Sequence, residues 1–287
     1  MTELMRDHTT MRVGGPVEMY LNPQDEKGLI AGIHVANRSN LPVFILGNGS
    51  NVIFRDGGFA GVVLSTTSAL TGIEINETKV LAGAGETLSS VARAAAKAGL
   101  SGMEEISGIP GTIGGAVLMN AGAYDKEIKD LISQVRAYDM VDDKIIMLSN
   151  EMCEFGYRSS VFKDSEPKYI ILDAELSLKE DKKDNILVRM DDFKKRRNEK
   201  QPVDLPSAGS FFKRPKGDYA GRLIEESGLK GYTVGGAQVS PKHTGFIVNT
   251  GNATASDVLS LANHVQEKVL EKFGISLELE PVIVGDA

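Results

Sequence analysis

Residues 108–124 read GIPGTIGGAVLMNAGAY, and the reading of that stretch decides the fold. Five of its seventeen residues are glycine, none is charged, and only Tyr124 is large and polar. With no nucleophile and no metal ligand, it can contribute to chemistry only through backbone and small polar groups. Two other segments share this character, LGNGSNVIF (46–54) and LAGAGETL (81–88). Glycine lets backbone approach a ligand closely and supplies positive φ, and successive N–H groups then form a nest for an anion. Asn48, Ser50, Asn51, Thr112 and Asn120 stand beside the glycines with short amides and hydroxyls. One such glycine pair alone would read as a tight turn; three clusters close together point to a large, flat, anionic cofactor.

A Rossmann unit requires G-x-G-x-x-G after a strand. Gly83-Ala84-Gly85 begins that pattern, but Leu88 takes the third position; Gly47-Asn48-Gly49 begins it too, with Val52 in that place. No G-x-x-x-x-G-K-[ST] loop is present either, so neither common nucleotide fold fits. Around the glycines, PVFILG (42–47), GVVLS (61–65) and KVLAGAG (79–85) predict strands that end in turns. Residues 87–98 predict a helix with Leu88, Val91, Ala92 and Ala95 on one face and Gly99 just past its end. KYIILDAELSL (168–178) predicts a strand, EDKKDN a boundary, and DDFKKRRNEKQP (191–202) a polar helix ending near Pro202. After Ser256 a helix carries Val258, Leu261, Ala262, Val265, Val269 and Phe273 to Gly274, and SLELEPVIV predicts a terminal strand. Strands and helices mix without steady alternation, so the class is α+β, with joints near residues 66 and 178.

A chain of 287 residues is long for one core. Its net charge of −7 argues against a general nucleic-acid binder, though not against a local anion site. Cys153 is the only cysteine, which excludes an intramolecular disulfide or a cysteine cage and fits a reducing cytoplasm. The start, MTELMRDHTTMRVGG, does not read as a signal peptide, and no run of about 18 apolar residues predicts a membrane span. His8, His34, His243 and His264 lack metal-ligand spacing, so no metal is expected. Cys153 reads as a small apolar residue, and Lys194-Lys195-Arg196-Arg197 as a solvated helix face.

Six segments, in order, carry a resemblance: HTTMRVGGP (8–16), LGNGSNVIF, SGIPGTIGGAVLMNAGAY (107–124), FGYRSSVF (155–162), QPVDLPSAGSFFKRP (201–215) and KHTGFIVN (242–249). Together they resemble the UDP-N-acetylenolpyruvoylglucosamine reductase family, from about residue 8 to residue 285. The resemblance implies a vanillyl-alcohol-oxidase/PCMH-type FAD-binding fold: lobes at 1–66 and 67–177, then an α+β substrate-binding domain at 178–287. It implies non-covalent FAD, NADPH as hydride donor, a UDP-sugar substrate, and no obligate protein partner. The FAD loops would comprise Gly47, Asn48, Gly49, Ser50 and Asn51, then Ile109, Pro110, Gly111, Gly114, Gly115, Ala116, Asn120 and Gly122. With 52 positions from Arg158 to Ser210, the chain resembles the shorter type, without an inserted substrate loop.

The implied chemistry is reduction of an enolpyruvyl ether to a lactyl ether. Flavin N5 passes hydride to the methylene carbon, an enolate-like charge develops, and a proton then reaches the adjacent carbon. Ser210 in AGSFFK matches the proton donor, a weak acid that serves only against a strongly basic carbanion. Arg158 in FGYRSS matches the arginine that holds the substrate carboxylate and stabilises the intermediate. Glu280 matches the third catalytic position, with Glu278 two residues away as the competing choice. Lys213 would face the substrate diphosphate. Arg214, where the family usually has asparagine, either adds charge there or points to solvent. Lys242 and His243 read equally as lining the substrate lobe or forming a turn. Pro281-Val282 departs from the family's valine–arginine pair. Two other readings are an oxidase on the same fold and an idle nucleotide-sugar or flavin binder; the filled positions 158, 210 and 280 argue against both.

Overall fold

Five short β-branched runs pair into a wholly antiparallel sheet, in the spatial order Lys144–Ser149, Ile132–Asp139, Tyr169–Ser177, Lys79–Gly83 and Ile73–Asn76. Registers such as Val135↔Ala174 and Ala174↔Ala82 line these residues up in one row, all three fully buried. The structure is a computed structural model and describes residues 3–164 and 168–286. The chain forms two compact units, one of Leu21–Asn48 and Val63–Arg196, the other of Met1–Tyr20, Gly49–Val62 and Arg197–Ala287.

The first unit holds this sheet with helices α1 (Glu26–Arg38), α2 (Leu88–Lys97), α3 (Ile113–Met119), α4 (Val161–Asp164) and most of α5 (Lys183–Lys200). Arg136 on the sheet reaches Glu26 of α1 at 2.7 Å and Asp173 of the neighbouring strand at 2.6 Å. The strands expected at 42–47, 61–65, 79–85 and 168–178 are present as Val43–Leu46, Phe59–Ser65, Lys79–Gly83 and Tyr169–Ser177. α2 is the helix expected over 87–98: Thr87 Oγ1 accepts from the Ser90 N–H at 3.1 Å, and Gly99 follows at φ +75°. α3 packs on Tyr169–Ser177 and Lys79–Gly83. It comes this close because Gly114 has no Cβ; one built there would lie 3.0 Å from Ala84 Cβ.

α5 corrects one expectation. It starts at Lys183, inside EDKKDN, and not at Asp191. Only Ile186 of the helix is buried, so apolar periodicity gives no signal for its first turns. Polar contacts anchor it instead: Arg189 meets Glu104 at 2.7 Å and Asp181 at 2.6 Å.

In the second unit a four-stranded antiparallel sheet runs Ser207–Ser210, Phe246–Asn249, Ala237–Val239, Thr233–Val234. Helices α6 (Ala220–Glu226) and α7 (Ala255–Phe273) enclose a core of Phe211, Leu223, Ile247, Val258, Leu261 and Val265, joined by Met11, Val13 and Ile53. The start of α7 is doubly capped. Thr254 and Asp257 form a capping box, and Asp56 accepts from the N–H groups of Ala255 and Ser256 at 2.8 Å each. Its end is Gly274, as expected, at φ +67°.

The terminal strand expected over SLELEPVIV divides in two. Only Val282–Val284 is a strand, parallel to Val52–Phe54. Residues 278–280 instead run antiparallel to 211–213 through a single bridge, Phe212↔Leu279. The Lys213 N–H donates to the Glu278 carbonyl (2.8 Å), and the Glu280 N–H to that of Phe211 (3.0 Å). Pro281, which has no N–H, lies between the two pairings, where the segment changes partners.

Partial burial opposes ionisation of Asp56, but hydrogen bonds from Ser256 and Ala255 outweigh it and hold the carboxyl below its ordinary 3.8. Stabilisation from a depressed carboxylate is complete above the unfolded value and is lost as pH falls through the folded one. Asp56→Ala is therefore expected to cost about 1 kcal/mol in urea unfolding at neutral pH, a typical cap loss. The difference should vanish in acid below that range.

Candidate active site

The two glycine-rich loops meet in the first unit. Asn48 Nδ2 donates to the Pro110 carbonyl at 2.6 Å. A Cβ on Gly47 would stand 2.5 Å from Thr112 Oγ1, so only glycine fits against that side chain. Thr112 in turn caps α3 by accepting from the Gly115 N–H at 3.3 Å. Next to it, Ile113 donates to the Glu86 carbonyl (2.8 Å) and Gly114 to that of Ala84 (2.9 Å). The N–H groups of 113–115 thus face protein acceptors. Gly114 and Gly115 serve close packing and helix capping.

The arrangement differs at 49–51, in the second unit. Gly49 is buried at φ +59°, and a Cβ there would lie 2.2 Å from the His8 carbonyl oxygen. Among the described residues, none accepts from the N–H groups of Gly49, Ser50 or Asn51. Ser50 and Asn51 are half-buried. Successive N–H donors without protein acceptors are the groups from which an anion nest is built. Asn51 links this loop to a catalytic candidate: its Nδ2 donates to the Glu280 carbonyl at 3.3 Å.

Arg158 lies in the first unit, mostly buried, at φ +55°. Its Nη1 and Nη2 donate to the carbonyls of Asn120 and Gly122, each at 3.3 Å, and Glu127 Oε1 stands 4.0 Å away. The guanidinium lies over the Tyr157 ring at 5.1 Å. The sequence reading did not single out Tyr157 or Glu127. Tyr157 adjoins a named residue, but nothing in the spacing marks Glu127.

In the second unit, Ser210 ends its strand and pairs with Phe246, after Gly209 at φ +77°. Glu280 is bonded through its N–H to Phe211, the residue next to Ser210. Lys213 Nζ meets Glu278 Oε2 at 2.9 Å. Lys213 holds the Glu278 carboxyl below its usual range, so this acid is fully ionised at neutral pH. An ionised, exposed Glu278 does not suit proton chemistry, which leaves Glu280 the better candidate.

Residues 201–284 match the family described as "UDP-N-acetylenolpyruvoylglucosamine reductase, C-terminal domain", and residues 17–148 match "FAD binding domain". Two relatives bear the name UDP-N-acetylenolpyruvoylglucosamine reductase. That of Caldanaerobacter subterraneus subsp. tengcongensis is 46% identical over 286 residues, covering 100% of this chain and 93% of its own. That of Clostridioides difficile is 47% identical over 284 residues, covering 99% and 92%. The chain belongs to the UDP-N-acetylenolpyruvoylglucosamine reductase family. A crystal structure of the Thermus caldophilus reductase superimposes with a TM-score of 0.82 at 37% identity, covering 99% of this chain and 98% of that one. The expected α+β FAD-binding fold of vanillyl-alcohol-oxidase/PCMH type holds, and the chain is a flavin-dependent oxidoreductase of this reductase family.

Against this reductase frame the remaining candidates sort by contact. Arg214 lies over the Tyr219 ring at 4.0 Å. Lys242 Nζ donates to the Asn198 carbonyl at 2.5 Å. His243 serves a turn: its Nδ1 accepts from the Gly245 N–H at 3.1 Å, and burial pushes its pKa down. Cys153 is fully buried, which raises its thiol to about 11 and removes any nucleophilic use. Arg196 pairs with Asp192 at 2.6 Å on α5, as a solvated helix face does. Among the described residues no group of histidine, cysteine or acidic side chains is placed to hold a metal. Nor is any helix there long and apolar enough to cross a membrane.

Gly49→Ala meets both a backbone clash and an unfavourable φ. Its FAD affinity, measured by fluorescence titration, should fall about tenfold or more for a strain above 1.4 kcal/mol. Unchanged affinity would remove this loop from the cofactor site.

Proposed function

We propose that this chain catalyses NADPH-dependent, FAD-mediated reduction of UDP-N-acetylglucosamine enolpyruvate to UDP-N-acetylmuramate, a bacterial peptidoglycan precursor. Similarity at 46–47% identity along essentially the whole chain carries the reading. In it, residues 1–66 and 67–177 are the FAD-binding lobes and 178–287 the substrate-binding domain. FAD is held without a covalent bond by Gly47–Asn51 and by the 109–116 loop, with Gly122 beyond it. The substrate is a UDP-sugar, and neither nucleic acid nor an obligate protein partner is required. The net charge of −7 and the lone buried cysteine support a cytoplasmic protein.

When bound, FAD relays hydride from NADPH to the enolpyruvyl methylene carbon. Arg158 holds the substrate carboxylate through paired N–H donors and stabilises the charge that develops beside it. Ser210 delivers the proton to the adjacent carbon, and its fixed direction sets the stereocentre. Glu280, as the third catalytic residue, hydrogen-bonds the enolate as a neutral acid. Lys213 faces the diphosphate, Arg214 adds charge beside it, and Lys242 lines the substrate lobe. Lys213 must exchange Glu278 for phosphate oxygens, which a flexible ammonium does readily.

Anaerobic reduction with NADPH followed by the enolpyruvyl substrate tests the reading. Flavin absorbance should bleach and then recover with that substrate; recovery with oxygen alone would indicate an oxidase, and a protein that takes up no FAD would refute both. Ser210→Ala should leave bleaching by NADPH unchanged and slow recovery with substrate by about 10²-fold or more, the usual contribution of a positioned acid. Equal loss in both half-reactions would make Ser210 structural.

A further inference from the structure

The turn that presents Arg158 is held at several points: Lys163 Nζ donates to the Arg158 carbonyl at 2.9 Å, and two more holds come from a single residue, Asn120. That turn is closed by the Gly156 N–H donating to the Ser159 carbonyl at 3.0 Å. Asn120, the fully buried C-cap of α3 at φ +42°, grips it twice. Its Nδ2 donates to the Gly156 carbonyl at 2.8 Å, holding the turn's backbone. Its own carbonyl accepts from Arg158 Nη1 at 3.3 Å, holding the head group. The rest of the amide is engaged as well: Nδ2 donates to Glu127 Oε2 at 3.0 Å, and Oδ1 accepts from the Lys129 N–H at 3.2 Å. Flipped, the amide would set its oxygen against a carboxylate and a carbonyl, so one orientation is dictated. Ser160 Oγ, donating to the Leu118 carbonyl at 2.8 Å, ties the far side of the turn to the same helix.

We propose that Asn120 is a positioning residue for Arg158, acting through this double grip and not through side-chain contact with the cofactor. The proposal rests on Arg158 acting on the substrate carboxylate. Asparagine suits the task because it tolerates the left-handed region better than most residues and still offers both a donor and an acceptor. An arginine head group is otherwise mobile, and a misplacement of about 1 Å can cost about 10²-fold in rate.

Asn120→Gly keeps the positive φ and the carbonyl while deleting the amide. It should purify with FAD, and NADPH should reduce its flavin within about 3-fold of the parent rate. Recovery with the enolpyruvyl substrate should slow by about 10²-fold, with KM for that substrate raised. In an Arg158→Ala background the same change should alter recovery by less than about 3-fold, because residues acting as a unit are not additive. Asn120→Asp, close in size and tolerant of the same φ, is carried through the same cycle in case glycine loosens the helix end. A full further loss on top of Arg158→Ala, or equal loss in both half-reactions, overturns the proposal. Normal recovery in Arg158→Ala alone would instead refute the reading of Arg158 itself.

Discussion

The close approach of two glycine-rich loops, the Gly47 backbone against the Thr112 side chain and the Asn48 amide on the Pro110 carbonyl, is the constraint on which this part of the first unit depends. A single methyl group at position 47 would push the loops apart. Thr112 is both the surface that Gly47 packs on and the cap that starts α3, so the contact also fixes where that helix begins. From there the order is continuous: α3 lies on the antiparallel sheet through Gly114, ends at Asn120, and from Asn120 orients the turn that carries Arg158.

Charge and polarity are divided between structural and chemical duties. Arg136 and Arg189 join helices to their neighbours through paired carboxylates. Asp56 is consumed in capping α7. Arg158 is held by the carbonyls of Asn120 and Gly122 together with an ion pair to Glu127 at 4.0 Å.

Much of this was legible in the sequence where a local rule applies. Strand runs, the Thr87 and Gly99 limits of α2, and Gly274 after α7 follow from periodicity and capping. Glycine clustering by itself points to a flat anionic cofactor. What failed was non-local. The start of α5 is set by Arg189 reaching Glu104, a residue 85 positions away, and leaves no apolar period to read. The break at Pro281 depends on which partner strand each half of the segment finds. The inward-facing N–H groups of 113–115 look the same in sequence as the unengaged ones of 49–51; only the carbonyls of Glu86 and Ala84 distinguish them. Glu127 carries no motif at all and is found only because Arg158 and Asn120 converge on it.

In the proposed reading the N–H groups of 49–51 donate to FAD, whereas those of 113–115 are already taken by protein acceptors. Amide hydrogen exchange measured with and without FAD addresses it directly. The N–H groups of Gly49, Ser50 and Asn51 should exchange rapidly in the cofactor-free protein and become protected when FAD binds, while those of Ile113, Gly114 and Gly115 remain protected in both. Protection that appears at 113–115 on binding, with 49–51 unchanged, would contradict the account.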